Sequence, residues 1–373
     1  MKPLSIVHTE SSLGWGGQEI RILAESQGLA RRGHEVRILC APQARIAAEA
    51  AAWQVPAVPL PIAHKNLAGL RALAAWFREH DCDVVNTHSS TDSWLAALAL
   101  RLAGRPCPIV RTRHISAPVP RNPLSRWLYQ SAAAMIVTTG EALRRELIEV
   151  NGFDAARLVS VPTGIDVARF RPGPRRAPRA ALRLPAERML VGIVATLRSW
   201  KGHRYLIEAL AQLPEAIELV IVGDGPGRET LRSQIDGLGL SERVHLPGNQ
   251  ADVVPWLHAL DIFALPSYAN EGVPQALVQA MLCALPCITT TVGSIAELAS
   301  HDATALIVPP HDAHALAAAI ARLAENEGLR RELGEAARKH CVENFSYDRM
   351  LDRMEAVFAA VAGSAIASPA APR

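Results

Sequence analysis

The stretch LSIVHTESSLGWGGQEIRILAESQGLARRGHEVRILC, running from Leu4 to Cys40, holds one complete folding unit. LSIVHT is a short apolar run of strand length. A glycine-bearing loop follows, and from about Glu19 to Arg32 the apolar residues recur at helical spacing. Gly33 stops that helix, and His34 to Cys40 reads as the next strand. Strand, helix and strand in this order imply parallel pairing through a right-handed crossover. Similar apolar runs recur at Asp83 to Thr87, Ile109 to Thr112 and Met135 to Thr138, with helix-length segments between them. The first half therefore reads as a doubly wound α/β domain.

Around Asp166 to Glu187 the texture changes to RFRPGPRRAPRAALRLPAE, where Pro and Arg crowd together and the periodicity fades as in a linker. A second alternation then begins. Its expected strands are Leu190 to Ala195, Glu218 to Val222, Val244 to Leu246, Ile262 to Leu265, Cys287 to Thr290 and Ala305 to Val308. Two such α/β halves suit a chain of 373 residues, which is long for one core. The expected fold class is α/β, with two Rossmann-like doubly wound domains facing across a cleft. In such sheets ligands bind beyond the C-terminal strand ends.

Composition narrows the field. With 49% hydrophobic and 20% charged residues, the chain has the profile of a soluble globular protein. A net charge of +3 makes no case for nucleic-acid binding, and none is expected. The excess of Lys and Arg lies in the first half, which suits an anionic partner as well as a solvated surface. The six cysteines lack metal-ligand spacing and read as reduced thiols, with Cys283 and Cys287 buried at a helix end. The N-terminus MKPLSIVHTE starts as a strand without a secretion signal. No run approaches the roughly 18 apolar residues of a membrane span. A cytoplasmic protein is the expectation.

Four features could carry chemistry. The first is SSLGWGGQE, where Gly14, Gly16 and Gly17 permit positive φ and close approach of a ligand to the backbone. The loop opens a helix, whose unpaired N–H groups attract anions. A plain turn is the alternative, and Trp15 is a bulky ring in want of a stacking partner. The second is TLRSWKGHRYLIEAL, in which Arg198 and Lys201 follow a strand end and could neutralise a diphosphate. The third is YANEGVPQALVQAM, Tyr268 to Met281, where Glu271 and a Gly-Val-Pro turn feed a helix N-terminus. Gln279 lies two turns further on, and its amide can pair with vicinal hydroxyls. The fourth is His114, just past a strand end. Asp81-Cys82-Asp83 precedes its strand and reads as a turn. His301, His311 and His314 have no metal-ligand spacing, so no metal site is expected.

Taken together, these pieces resemble the family 4 retaining glycosyltransferases of the two-Rossmann GT-B fold. The resemblance rests on Gly16-Gly17-x-Glu19, on Arg32-Gly33-His34-Glu35-Val36 and on Pro162-Thr163-Gly164-Ile165-Asp166. It continues through Lys201-Gly202, Val222-Gly223-Asp224-Gly225-Pro226, Pro266-Ser267 with Glu271-Gly272-Val273-Pro274, and Gly293-Ser294-Ile295-Ala296-Glu297. It implies an acceptor-side domain over residues 1–166 and a nucleotide-sugar domain over 167–345, with a C-terminal helix of about 346–373 packing back on the first. It implies that Glu271 lies against the donor sugar and that Lys201 with Arg198 holds the diphosphate. Gly272, Val273, Pro274, the amides of Gln275 and Ala276 and the Gly16-Gly17 loop would complete that cradle. Gln279 would bind the ribose, and His114 would stand near the reacting sugar.

The implied reaction is metal-independent and needs no cofactor beyond a nucleotide-diphosphate sugar as co-substrate. The acceptor would be a glycan or a lipid-linked glycan of cell-surface polysaccharide or lipopolysaccharide synthesis. Three positions depart from the pattern: Gln279 replaces a glutamate, Thr196 an arginine and Thr163 an asparagine. Pro123 to Tyr129 reads first as packing, with a peripheral membrane contact through the N-terminal domain as the alternative. The competing readings are a nucleotide-sugar epimerase or phosphorylase of the same fold, and a non-catalytic nucleotide-sugar-binding partner subunit.

Overall fold

The computed structural model of the protein describes residues 2–114 and 117–367. Ile115, Ser116 and the end of the expected C-terminal helix, residues 368–373, lie outside the described residues. The chain divides into two compact units. Unit 1 comprises Met1–Thr163 with Arg349–Arg373, and unit 2 comprises Gly164–Asp348.

Unit 1 is built on seven strands: β1 (Ser5–Glu10), β2 (Glu35–Cys40), β3 (Ala57–Pro59), β4 (Val84–Thr87), β5 (Ile109–Arg113), β6 (Met135–Thr138) and β7 (Leu158–Ser160). They pair in parallel in the order β3-β2-β1-β4-β5-β6-β7. All four residues of β4 are buried, as expected of a strand covered on both faces. The helix Ser90–Ala103 that follows starts at Ser89, whose hydroxyl and the Asp92 carboxylate cap each other's backbone N–H groups.

The last helix, Tyr347–Ala367, joins unit 1 from Arg349 onward. It buries Met354 and Phe358 completely. Its Glu355 pairs with Arg32 at 2.8 Å and with His34 at 3.0 Å.

Unit 2 has six strands: β8 (Met189–Val194), β9 (Ile217–Val222), β10 (Val244–Gly248), β11 (Ile262–Leu265), β12 (Cys287–Thr289) and β13 (Leu306–Ile307). Their order is β10-β9-β8-β11-β12-β13, again parallel. In each sheet the strand order reverses direction once, between β1 and β4 and between β8 and β11. The crevice at such a reversal is where doubly wound sheets bind ligands.

Most expected strands shift by one or two residues only, within the usual uncertainty of element ends. The linker reading of residues 166–187 is corrected. Phe170 and Leu184 are buried in the core of unit 2, and Arg176–Leu182 is a helix. What looked like a solvated run of arginines includes Arg179, whose guanidinium is buried against Asp261 at 2.6 Å. That carboxylate also accepts from the Leu190 N–H at 2.8 Å, and so ties the segment to the start of β8. The edge strands β3 and β7, three residues each, were not foreseen.

Candidate active site

In unit 2 the loops after β8 and β11 meet at the strand-order reversal. The Tyr268 N–H donates to the Trp200 carbonyl at 2.8 Å, which joins the two loops directly. Lys201 closes a short helical turn, and its Nζ lies 2.6 Å from Glu271 Oε1. Ser267 Oγ donates to the same oxygen at 2.7 Å. Glu271 is only 4% exposed, so its carboxylate depends on these partners for the hydration it has lost.

Two glycines make the close approach sterically feasible. Gly202 has φ +79°, and a Cβ there would run into the Pro266 carbonyl. Gly293 has φ +60°, and a Cβ there would strike the Glu271 carbonyl. Both conformations favour glycine.

Glu271 is followed by Gly272, Val273 and Pro274, all buried, and then by the helix Gln275–Leu282. Pro274 occupies the N-cap position and supplies no side-chain cap. The helix start itself, with its dipole, is a setting that favours an anion. Gln279 is half-buried on the same helix. Arg198 is exposed, with its guanidinium over Trp200 at 5.7 Å from the ring centroid, and Thr196 is exposed beside it.

Unit 1 answers with a different arrangement at its own reversal. His114 follows β5 and is half-buried. Its Nε2 lies 2.9 Å from His88 Nδ1, and His88 Nε2 lies 2.9 Å from His8 Nδ1. His8 belongs to β1 and His88 follows β4, so three neighbouring strands deliver one imidazole each. Burial pushes the pKa of all three rings down, that of His8 to about 3, and the Arg21 charge acts in the same direction.

Two acids stand close by. Asp92 accepts from the His88 N–H and from Thr9 Oγ1, both at 2.8 Å. Glu10, fully buried, accepts from the Ser12 N–H at 2.6 Å. Burial first, and the Asp92 charge next, raise the Glu10 pKa to about 8.

The Gly16-Gly17 loop opens the helix Gly17–Arg31. Gly14, Gly16 and Gly17 do not use the positive φ that glycine permits, and Gly16 is extended at φ −175°. What these glycines contribute is a helix start without side-chain bulk. Trp15 does find a partner, the Arg45 guanidinium at 4.8 Å.

Reading the residues in order missed His8, His88, Glu10 and Asp92 in unit 1 and Ser267 in unit 2. A signal existed for the histidines, since each stands at or within one or two residues of a strand's C-terminal end. In the Pro123 to Tyr129 stretch, Tyr129 is buried and Trp127 stacks on Trp94 at 5.2 Å, while Leu124 is exposed. Among the described residues no group of three His, Cys, Asp or Glu side chains could hold a metal ion, and no helix is long and apolar enough to cross a membrane. A cavity of about 310 Å³ lined by Leu100, Arg101 and Cys107 lies before β5, at the opposite strand ends from these clusters.

Comparison with known proteins decides the family. The profile described as Glycosyltransferase Family 4 matches residues 15–169, and that described as Glycosyl transferases group 1 matches residues 174–340. The chain belongs to the family 4 glycosyltransferases. A D-inositol 3-phosphate glycosyltransferase of Xylanimonas cellulosilytica is 28% identical over 92% of this chain and 91% of that protein. Among solved structures, Anabaena HepE in complex with UDP-glucose has a TM-score of 0.87 at 22% identity, covering 96% of this chain and 100% of the other. WaaG, a glycosyltransferase involved in lipopolysaccharide biosynthesis, has a TM-score of 0.73 at 18% identity, over 96% of this chain and 100% of its own. This family 4 glycosyltransferase therefore has the two-Rossmann GT-B fold.

Proposed function

We propose that this protein transfers a sugar from a nucleotide-diphosphate donor, with retention of anomeric configuration, to a glycan or glycolipid acceptor of cell-surface polysaccharide or lipopolysaccharide synthesis. The observation that carries the reading is the buried Glu271 carboxylate, held by Lys201 and Ser267 just before the helix Gln275–Leu282. A cation and helix amides side by side suit a diphosphate, and a carboxylate next to them suits the hydroxyls of the sugar it carries. The UDP-glucose bound by Anabaena HepE supports a UDP-linked donor.

In the proposed reaction the bond between the sugar C1 and the diphosphate oxygen breaks, and its electron pair leaves with the diphosphate. The acceptor oxygen bonds to C1 from the same face, and its proton passes to the departing phosphate oxygen. Lys201, Arg198 and the amides of Gln275 and Ala276 stabilise the charge that develops, so the step calls for no metal. Gln279 grips the ribose hydroxyls. The same reading assigns His114 to the reacting sugar and the Gly16-Gly17 helix start to the diphosphate. The enzyme works without a cofactor and, through the stretch around Leu124, touches the membrane surface peripherally.

A second acceptor reading has its own support. The similar proteins named D-inositol 3-phosphate glycosyltransferase point to a small phosphorylated polyol. The test is a release assay for free nucleotide diphosphate with UDP-, GDP- and ADP-sugars, run against lipid-linked glycans, inositol phosphates and no acceptor. Acceptor-dependent release, with product of the donor's anomeric configuration, is expected. Donor turnover without any acceptor would select the epimerase reading instead. Nucleotide binding without turnover on any acceptor would select the non-catalytic one.

A further inference from the structure

The three imidazoles of unit 1 are joined in a particular way. His8 offers Nδ1 to His88 Nε2, and His88 offers Nδ1 to His114 Nε2, each across 2.9 Å. A neutral imidazole has one N–H and one lone pair, so each link needs a donor on one side and an acceptor on the other. If His8 carries its proton on Nδ1, His88 Nε2 must accept, which places the His88 proton on Nδ1. His114 Nε2 must then accept too, and its proton sits on Nδ1. If the proton of His8 is on Nε2, every assignment inverts. Only two arrays satisfy both links, one with all three protons on Nδ1 and one with all three on Nε2.

The two ends of the array differ. His8 Nε2 is buried and has no hydrogen-bond partner among the described residues, and the ring of Phe358 stands edge-on to His8 at a centroid distance of 6.3 Å. His114 Nδ1 has no partner among the described residues. The array is also fixed from the side, where Asp92 accepts from the His88 backbone N–H at 2.8 Å, and the His8 and His88 rings lie within 10° of parallel. Burial keeps the rings neutral around neutral pH, which is the condition the two-array count requires.

We propose that His8 and His88 are positioning residues that make the rings of His8, His88 and His114 share one tautomer, so that the buried end of the array decides whether His114 Nδ1 presents a proton or a lone pair to substrate. This rests on the reading that His114 serves the transfer reaction. The consequence is specific: a ring free to choose its tautomer spends part of its time with the wrong group facing the reacting sugar.

The first test is direct. Nitrogen-15 NMR of the full chain labelled at histidine distinguishes Nδ1–H from Nε2–H rings, with assignments from single His→Gln variants. The three rings are expected in the same tautomer at pH 7.5, and finding His8 and His114 in opposite tautomers overturns the proposal. This measurement needs no transferase activity, so a protein that transfers nothing would defeat the functional reading and leave the array to be judged by the spectrum.

The second test uses His8→Leu and His8→Asn. Leucine removes the link and the orphaned His8 Nε2 but leaves His88 Nε2 unpaired in its place, so the number of orphaned nitrogens is unchanged and thermal stability should hold. Asparagine keeps an amide near the Nδ1 position. In His8→Leu, His114 is expected to sample both tautomers, and kcat to fall roughly ten- to hundredfold with UDP binding unchanged. His8→Asn should recover most of that loss. An unchanged His114 spectrum and unchanged kcat in His8→Leu would overturn the proposal, as would equal losses in the two variants. Should neither variant fold, the wild-type spectrum alone decides.

Discussion

Units 1 and 2 repeat one topology and fill it with opposite electrostatics. Both sheets reverse strand order once, and both gather polar side chains at the C-terminal strand ends beside that reversal. In unit 2 the cluster is an ion pair, Lys201 with Glu271 at 2.6 Å. In unit 1 it holds three histidines and the acids Glu10 and Asp92. There burial drives the histidines toward the uncharged form and raises both carboxyl groups. A fold thus supplies the place, and the local partners decide whether charge survives there. Glu271 has a cation and a hydroxyl within reach, whereas Glu10 faces Asp92 and Glu19 with only Ser12 and Gln18 to offset them.

The comparison breaks most visibly at Lys201. Lys201→Ala should lower kcat/KM by about 10²–10³-fold, because in the proposed reaction it removes a cation from the departing diphosphate and it strands Glu271. Glu271→Ala should lose a similar factor. Steady-state kinetics with the native donor decide this, and near-normal turnover in either variant would remove the ion pair from the mechanism.

Next in size is Gly293→Ala. Its φ of +60° and the Glu271 carbonyl behind it leave no room for a methyl group, so a loss of about 2 kcal/mol in unfolding free energy is expected. A melting curve that shows no loss would mean the loop can move aside and that Glu271 is less firmly held than its burial suggests.

Glu10→Gln sharpens the contrast from the unit 1 side. The folded-state pKa of Glu10 is raised from 4.5 to about 8, so the native state holds this proton more tightly than the unfolded chain. The wild type therefore loses stability as pH rises from about 4.5 to 8, and glutamine removes that loss. The variant should gain on wild type steadily between pH 5 and pH 8, by up to about 1.4 kcal/mol per pH unit, read from denaturant midpoints at each pH. A constant difference across that range would show that Glu10 is ionised in the native protein.

The smallest effect is reserved for Gln279→Glu. Restoring the acid expected at that position should tighten nucleotide-sugar binding by a few-fold, since a charged acceptor strengthens a hydrogen bond to a ribose hydroxyl by about 1 kcal/mol. Calorimetry with UDP and UDP-sugars measures it.

Much of this was legible in the chain because it is local. The alternation of apolar runs announced both sheets, and Glu271, Gly272 and Pro274 marked a helix start from adjacent residues. The histidine array was not legible. His8 and His88 are 80 residues apart, and only the strand order β1-β4-β5 makes neighbours of them and His114. The segment 166–187 misled for the converse reason. Its arginines look solvated until Asp261, 82 residues after Arg179, provides a buried carboxylate for one of them. Gly14, Gly16 and Gly17 show a third limit, since glycine permits positive φ without requiring it.

Unit 1 is the discontinuous one, closed by the stretch from Arg349 onward, whereas unit 2 is a single run, Gly164–Asp348. During synthesis, unit 2 can therefore complete itself while unit 1 still waits for Met354, Phe358 and the Glu355 partner of Arg32 to leave the ribosome. The half that is made first is finished last. A chain stopped short of Arg349 would retain all of unit 2 and expose the face of unit 1 on which His8 meets Phe358.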